Sequence, residues 1–224
     1  MAKQKVNDKE ALRRENIEET VSRTDQFYSE HKKTIWTVVA VLLVIALAIF
    51  AYSRLVYQPK CAEARQQAFP AEQNFAAGEY ELALNGDGNI LGLADIVDQY
   101  GGKAGKATYL EAGICALQLG NYEDALAYLK KYKGSEPIMA ARALACKGDA
   151  LAGLGRYDEA VSAYLKAASK DDNTFAAAYL LKAGILSEEL GNNAKALDCY
   201  NTIKDKYPRS TEGYDIDKYI TRLQ

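Results

Sequence analysis

A pattern of glycine, alanine and aromatic residues that recurs at a nearly fixed interval constrains the fold more than any other feature. LGNYEDALAYL begins at residue 119, LGRYDEAVSAYL at 154 and LGNNAKALDCYN at 190. Their central alanines, Ala125, Ala160 and Ala196, lie 35 and 36 residues apart. An interval of about 34 residues that occurs three times is typical of a solenoid built from helix pairs. We therefore predict an all-α fold made of stacked helix-turn-helix units.

The repeated glycines form two sets. One set follows the first helix of each unit, where a left-handed residue commonly ends a helix; its members are Gly120, Gly155 and Gly191. The other set lies inside the first helix; its members are Gly113, Gly148 and Gly184. An interior glycine costs about 1 kcal/mol relative to alanine, a cost that is tolerated where another helix must approach closely. The central alanines have the matching role in the second helix.

A tyrosine occupies the turn between the two helices in the first two units, at Tyr122 and Tyr157, and Asn193 replaces it in the third. Pro137 and Pro208 are predicted to close the first and third units. Upstream, AAGEYELALNG contains Ala83 and forms a weaker copy.

The predicted repeat domain covers residues 54–224, and these signals divide its residues 62–224 into six segments. In the second, NGDG indicates a turn and residues 90–100 are predicted to form one helix. The segments are a weak repeat at 62–85, an insert at 86–105, repeats at 106–140, 141–176 and 177–210, and a cap helix at 211–224.

An uncharged apolar run precedes the repeats and predicts a transmembrane signal anchor at 35–53. Residues 35–52 carry no charge, and as a helix they would be ~27 Å long, close to the ~30 Å of a bilayer core. Trp36 and Tyr52 lie near the two ends, where aromatic side chains favour the membrane interface. A buried core helix and a cleaved signal peptide are the alternatives. The second is disfavoured because 34 residues of mixed charge come first and no small-x-small cleavage site follows.

The orientation of this anchor follows from basic residues in the 34-residue tail. The tail has eight basic and seven acidic residues, whereas Arg54, Lys60 and Arg65 follow the span. Counted over the whole tail, the positive-inside rule places the N-terminus in the cytoplasm. The repeats then lie outside it, in a periplasm if the cell is bacterial. The tail itself fits either an amphipathic helix on the membrane or a solvated, disordered segment.

The repeated glycine, alanine and tyrosine positions resemble the tetratricopeptide repeat, strongly over 106–210 and weakly over 62–85. The order of anchor, diverged repeat, insert and three repeats is similar to that of the YfgM-type ancillary subunits of the bacterial SecYEG translocon. This resemblance implies a single-pass protein of the bacterial inner membrane. Its periplasmic repeat domain would bind other proteins, such as translocon subunits or exported chains.

Composition and motifs point away from catalysis and from nucleic acid. A net charge of -2 gives no basic surface of the kind that nucleic-acid binding requires. The only histidine is His31, in the tail, and no nucleophile motif, metal motif or phosphate loop is present. The four cysteines fit no zinc or redox spacing and are interpreted as small buried apolar residues. The sequence thus predicts a protein that is not an enzyme and binds no cofactor or metal.

Stacked helix pairs form a concave surface lined by the first helix of each repeat, and that surface is the predicted partner-binding face. Its apolar residues with a few charges suit an extended peptide or a partner helix, unless the insert or the upstream helix covers them. The predicted face contains Leu110, Ile114, Leu117, Arg142, Ala145, Asp149, Leu181, Ile185 and Glu188.

Some repeats of this kind capture a C-terminal carboxylate with a clamp of basic and amide side chains. Leu110, Ile114, Cys146, Ala178 and Lys182 occupy the corresponding positions, and only the last is suitable. The resemblance therefore implies a groove without that clamp.

Two functions fit the sequence. One is a membrane-anchored adaptor or scaffold whose groove binds a partner or an exported protein. The other is a structural membrane protein that self-associates and buries the groove in a homo-oligomer.

Overall fold

The computed structural model describes residues 28–170 and 174–224, and within these ranges its regular elements are helical, apart from one isolated bridge between Gly86 and Leu91. Most of the predicted tail, including any amphipathic helix in residues 1–27, lies outside the described residues. The described chain divides at residue 58 into an N-terminal unit and a larger unit, Pro59–Gln224.

The N-terminal unit is helical from residue 28. Helix α1 covers residues 28–52 and is followed by a π-helical turn, Ser53–Tyr57. They belong to a continuous helix, Tyr28–Ala77, that is long and apolar enough to cross a membrane by its length and composition. The side chains of the apolar run are exposed. The indole of Trp36 donates a hydrogen bond of 3.3 Å to the Tyr28 hydroxyl, near the start of the run.

The larger unit contains ten α-helices among its described residues. They are α2 (Gln58–Ala77), α3 (Tyr80–Asn85), α4 (Leu93–Tyr100), α5 (Lys106–Gln118), α6 (Tyr122–Lys131), α7 (Pro137–Gly153), α8 (Tyr157–Ala168), α9 (Thr174–Glu189), α10 (Asn193–Lys206) and α11 (Thr211–Arg222). From α5 onward each helix packs against the next, and α5 also packs against α7. The pairs α5–α6, α7–α8 and α9–α10 are the three repeated units.

The same hydrogen-bonded cap ends the first helix of each unit. Gly120, Gly155 and Gly191 have φ values of +77°, +71° and +75°. In the first unit the Gly120 N–H donates to the Leu117 carbonyl at 3.1 Å and the Asn121 N–H donates to the Ala116 carbonyl at 2.8 Å. This is the pattern of a Schellman motif. Glycine is required because residues with a side chain rarely adopt this conformation.

The interior glycines let the second helix of the same unit approach the first. A Cβ on Gly113 would lie 2.7 Å from the Leu129 side chain, and one on Gly148 would lie 2.6 Å from the Tyr164 ring. A Cβ on Gly184 would likewise overlap the Tyr200 ring. Leu129, Tyr164 and Tyr200 each lie one helical turn after the central alanine of their unit. All three alanines, Ala125, Ala160 and Ala196, are fully buried.

The buried apolar residues form two main clusters along the solenoid. The first joins α2 to α6 with Ala150 of α7, and it includes Ala64, Leu93 and Ile96, so the insert helix α4 contributes to it. The second joins α7 to α11. In α11, Ile216 and Ile220 are 1% and 6% exposed. This helix therefore covers the last repeat and leaves its own polar face outward.

Some helices begin at positions other than the predicted segment limits. Pro137 begins α7, where a proline at the first helical position loses no hydrogen bond. The first helix of the second unit thus begins before residue 141, and that of the third unit begins at Thr174. The insert helix starts at Leu93, not at residue 90, because the Asp87 carboxylate binds the Ile90 N–H at 2.8 Å and closes a turn there.

The two turn tyrosines also differ. The Tyr122 ring packs against Gly153 of the next repeat, where a Cβ would lie 2.5 Å from the ring. Tyr157 is instead 41% exposed. The residue equivalent to Gly153 in the third repeat is Glu189, so the small residue that accepts the ring is missing there.

Candidate protein-binding groove

Two adjacent cavities lie along the first helices of the repeats. The first, of about 400 Å³, is lined by Phe75, Lys106, Ala107, Leu110, Glu111, Ile114, Tyr132, Gly134, Ser135, Glu136, Met139 and Arg142. The second, of about 370 Å³, is lined by Ile114, Leu117, Gln118, Ile138, Met139, Arg142, Ala145, Cys146, Asp149, Phe175, Tyr179 and Lys182. Because Ile114, Met139 and Arg142 line both, we treat the two cavities as one groove.

The groove has a buried apolar floor and an exposed apolar rim. Leu110 and Ile114 in the floor are only 5% and 6% exposed, and Phe75 and Tyr132 pack against their cluster. Ile138, Met139 and Phe175 are 44%, 45% and 59% exposed. Large apolar side chains left exposed beside a cavity are typical of surfaces that bind another molecule.

Of the nine residues predicted for this face, six line the groove: Leu110, Ile114, Leu117, Arg142, Ala145 and Asp149. The three from the last repeat, Leu181, Ile185 and Glu188, do not line these two cavities. Leu181 packs against the core cluster of α7–α11. Glu188 accepts a hydrogen bond from the Tyr200 hydroxyl at 3.0 Å and pairs with Arg222 of α11 at 2.6 Å.

In the last repeat the residues that face the groove are Phe175, Tyr179 and Lys182. The sequence analysis placed Lys182 at a clamp position but missed Phe175 and Tyr179, because it transferred the register of the first repeat unchanged. Their spacing of four and three residues, with two aromatic side chains, was the signal available. Phe75 and Tyr132 lie in α2 and in a loop, so no repeat register includes them.

The groove carries three cations and three carboxyl groups, and the carboxyl group of Asp149 already has partners in this chain. It accepts a hydrogen bond of 2.6 Å from the Tyr164 hydroxyl and pairs with Lys182 at 2.5 Å. The Lys182 ammonium also lies 5.5 Å from the centroid of the Tyr164 ring. Burial, with the Asp149 hydrogen bond, raises the pKa of Tyr164 well above its ordinary value. The tyrosine therefore stays protonated and remains a donor.

The carboxylate of Glu136 is occupied as the N-cap of α7. It accepts hydrogen bonds from the backbone N–H groups of Ile138 at 3.2 Å and Met139 at 2.7 Å. Negative charge at a helix N-terminus is favourable because of the free N–H groups and the helix dipole. By contrast, Arg142 is exposed and forms no ion pair with any residue that the structure describes.

Comparison with known protein families identifies the repeats. Models of the tetratricopeptide repeat match residues 107–137, 141–173 and 178–210. The three helix pairs are therefore tetratricopeptide repeats. A comparison with curated proteins gives no match.

Tetratricopeptide repeats are generally non-enzymatic scaffolds for protein interactions. Within residues 28–170 and 174–224, no group of His, Cys, Asp and Glu side chains could hold a metal ion. The groove contains Cys146, and burial raises the pKa of its thiol to about 11. A thiol with such a pKa is a weak nucleophile at neutral pH.

Glu111, on the first tetratricopeptide repeat, is the third carboxyl group of the groove. Its Oε2 atom is buried and has no hydrogen-bond partner among the described residues. Burial, with repulsion from Glu72 of α2, raises the pKa of Glu111 from 4.5 to about 7. The carboxyl is therefore partly protonated at neutral pH and contributes less negative charge than its formal value.

Replacement of Glu111 by glutamine is expected to stabilise the protein at pH 8 by about 1–2 kcal/mol, after allowance for solvent around this half-buried group. The folded state holds the Glu111 proton more tightly than the unfolded state. This contribution to stability is complete below about pH 4.5 and is lost as the pH rises through about 7. Glutamine keeps the shape without ionising. Denaturation of the full chain in detergent at pH 5, 7 and 8 measures the difference.

The exposed Glu79, at the start of α3, provides the control. Its replacement by glutamine removes the same kind of carboxyl group from an exposed position, so the effect of Glu111→Gln is read as the excess over this control. A gap between wild type and Glu111→Gln that does not grow between pH 5 and 8 would show that Glu111 ionises normally.

Proposed function

We propose that this protein is a membrane-anchored adaptor whose groove binds a segment of another protein. The groove carries the proposal, since exposed apolar residues of α7 and α9 lie beside two cavities on tetratricopeptide repeats. A protein-interaction role is what such repeats imply. The predicted residues Leu181, Ile185 and Glu188 do not contribute in this proposal, and Phe175, Tyr179 and Lys182 take their place.

The anchor in the proposal is the segment 35–53. The length and composition of helix Tyr28–Ala77 support it, and the basic residues of the tail support an N-terminus in the cytoplasm. We place the repeats in the periplasm of a bacterial inner membrane. Alkaline phosphatase fused after Gln224 should then be active, because it folds to its active form only outside the cytoplasm.

The order of anchor, diverged repeat, insert and repeats supports a place beside the protein translocon. The partner would then be a translocon subunit or an exported chain. This part of the proposal rests on the resemblance of layout, and identification of the bound protein tests it directly.

Photo-crosslinking from the groove tests the function. A benzoylphenylalanine at position 139, on the groove rim, should form an adduct with another polypeptide when cells are irradiated. The same residue at position 214 is the control, because Tyr214 of α11 is 78% exposed and does not line the groove. Mass spectrometry of the adduct identifies the partner.

The outcomes separate the adaptor from its rival. An adduct at position 139 with a different protein, absent at position 214, supports the adaptor. An adduct only with a second copy of this chain favours the homo-oligomer. No adduct at position 139, with the variant correctly folded, contradicts both functions of the groove.

A further inference from the structure

We propose that the groove selects a protein segment in which one acidic residue stands between two large apolar residues, with Arg142 binding the carboxylate. The inference rests on the proposed function and adds the chemistry of the partner.

Arg142 lies where the two cavities meet. It lines both of them, as do Ile114 and Met139. On one side the cavity walls include Phe75 and Leu110, and on the other they include Phe175. Each cavity has room for a large apolar side chain, because its volume of about 400 or 370 Å³ exceeds that of any side chain. A segment that crosses both cavities must therefore pass Arg142 between two apolar contacts.

The carboxyl groups of the groove do not neutralise Arg142. The Asp149 carboxylate accepts a hydrogen bond of 2.6 Å from the Tyr164 hydroxyl and forms an ion pair of 2.5 Å with the Lys182 ammonium. Glu136 is held by two backbone N–H groups of α7. Glu111 forms no ion pair with Arg142, and its raised pKa lowers its charge. The guanidinium donates to the Cys146 side chain, and the rest of its five N–H donors are available at an exposed position in the groove.

An acidic residue is the partner that these unused donors favour. A guanidinium presents planar N–H groups that match the two oxygens of a carboxylate, and such charge-assisted pairs are stronger than neutral hydrogen bonds. Lys106, which lines the first cavity, adds positive charge of the same sign. A basic residue beside Arg142 would be repelled by its guanidinium. The groove thus discriminates by charge at its centre and by size on either side.

A random-peptide display library tests the inference on the full chain, held in lipid nanodiscs and selected against empty nanodiscs. Enriched peptides should contain Asp or Glu with a large apolar residue within four positions on each side. A labelled peptide of this type should bind Arg142→Gln about tenfold more weakly than wild type, which corresponds to the loss of one charge-assisted pair. Replacement of its acidic residue by the matching amide should have the same effect on binding to wild type.

Lys147→Gln is the matched control, since it removes one positive charge from an exposed position of the same helix without touching the groove lining. It should bind the peptide like wild type, and helical circular dichroism should confirm that both variants fold. Peptides that bind in the groove with no acidic preference, or that bind Arg142→Gln unchanged, overturn the inference and leave the proposed function standing. Peptide binding that is insensitive to a bulky substitution at Met139, or no enrichment at all, counts against the groove and so against both.

Discussion

Replacement of Gly184 by valine is expected to lower the free energy of unfolding of the repeat domain by about 3 kcal/mol, the upper part of the usual range for an overpacked core. A Cβ at this position would overlap the Tyr200 ring. The ring cannot easily move away, because Tyr200 is fully buried and its hydroxyl is bonded to Glu188. Helix propensity works in the opposite direction, since valine is the better helix former. The whole loss would therefore come from packing between α9 and α10.

A double-mutant cycle identifies this cause. Tyr200→Ala alone should cost about 3–5 kcal/mol, as for other buried aromatic residues, but it leaves space beside residue 184. Gly184→Val should then cost much less in the Tyr200→Ala background than in wild type. Chemical denaturation of the full chain in detergent gives all four free energies. Equal costs in both backgrounds would mean that the Tyr200 ring is not what excludes a side chain at position 184.

The repeated glycines and alanines explain why the sequence predicts so much of this fold. Gly120 adopts the left-handed conformation that ends a helix, and Gly184 allows two helices to approach closely. Each of these positions requires glycine in every repeat, so glycine recurs at a nearly fixed interval and the register of the repeats can be read from the sequence alone. Helix starts leave a weaker signal. Proline is common both after the end of a helix and at its first position, so Pro137 alone does not decide between a stop and a start. The start is stabilised by the Glu136 carboxylate, which accepts hydrogen bonds from backbone N–H groups of α7, and this depends on a side-chain conformation that the sequence does not specify.

The groove was harder to predict because several of its contacts join distant parts of the chain. Phe75 reaches the first cavity from α2, outside the three clear repeats. In the last repeat Glu188, which was predicted to face the groove, instead forms an ion pair with Arg222. Arg222 lies 34 residues later in the chain and comes close because α11 packs against α9. In the last repeat, the helix face that contains Glu188 therefore contacts α11, whereas the corresponding face of the first two repeats lines the groove. A periodic pattern carries no information on this difference.

This capping role predicts a large effect at the C-terminus. Replacement of both Ile216 and Ile220 by alanine is expected to cost about 5 kcal/mol, since each buried isoleucine contributes roughly 2–5 kcal/mol and neighbouring losses do not add fully. Both side chains lie in the cluster of α7–α11, which also contains Tyr200 and Ile203. A terminal repeat without its cap exposes an apolar face to water.

Hydrogen exchange locates the damage as well as measuring it. Amides of α9 and α10 should lose most protection, whereas those of α5 and α6 should lose less, because Ala112, Cys115 and Ala125 belong to the other main cluster. Tyr214→Ala is the control on the same helix. Its side chain is 78% exposed, so removal should change stability by no more than about 0.5 kcal/mol. Equal loss of protection along all three repeats would mean that the solenoid unfolds as one cooperative unit. Protection of α9 and α10 that matches the Tyr214→Ala control would mean that α11 does not cap the array.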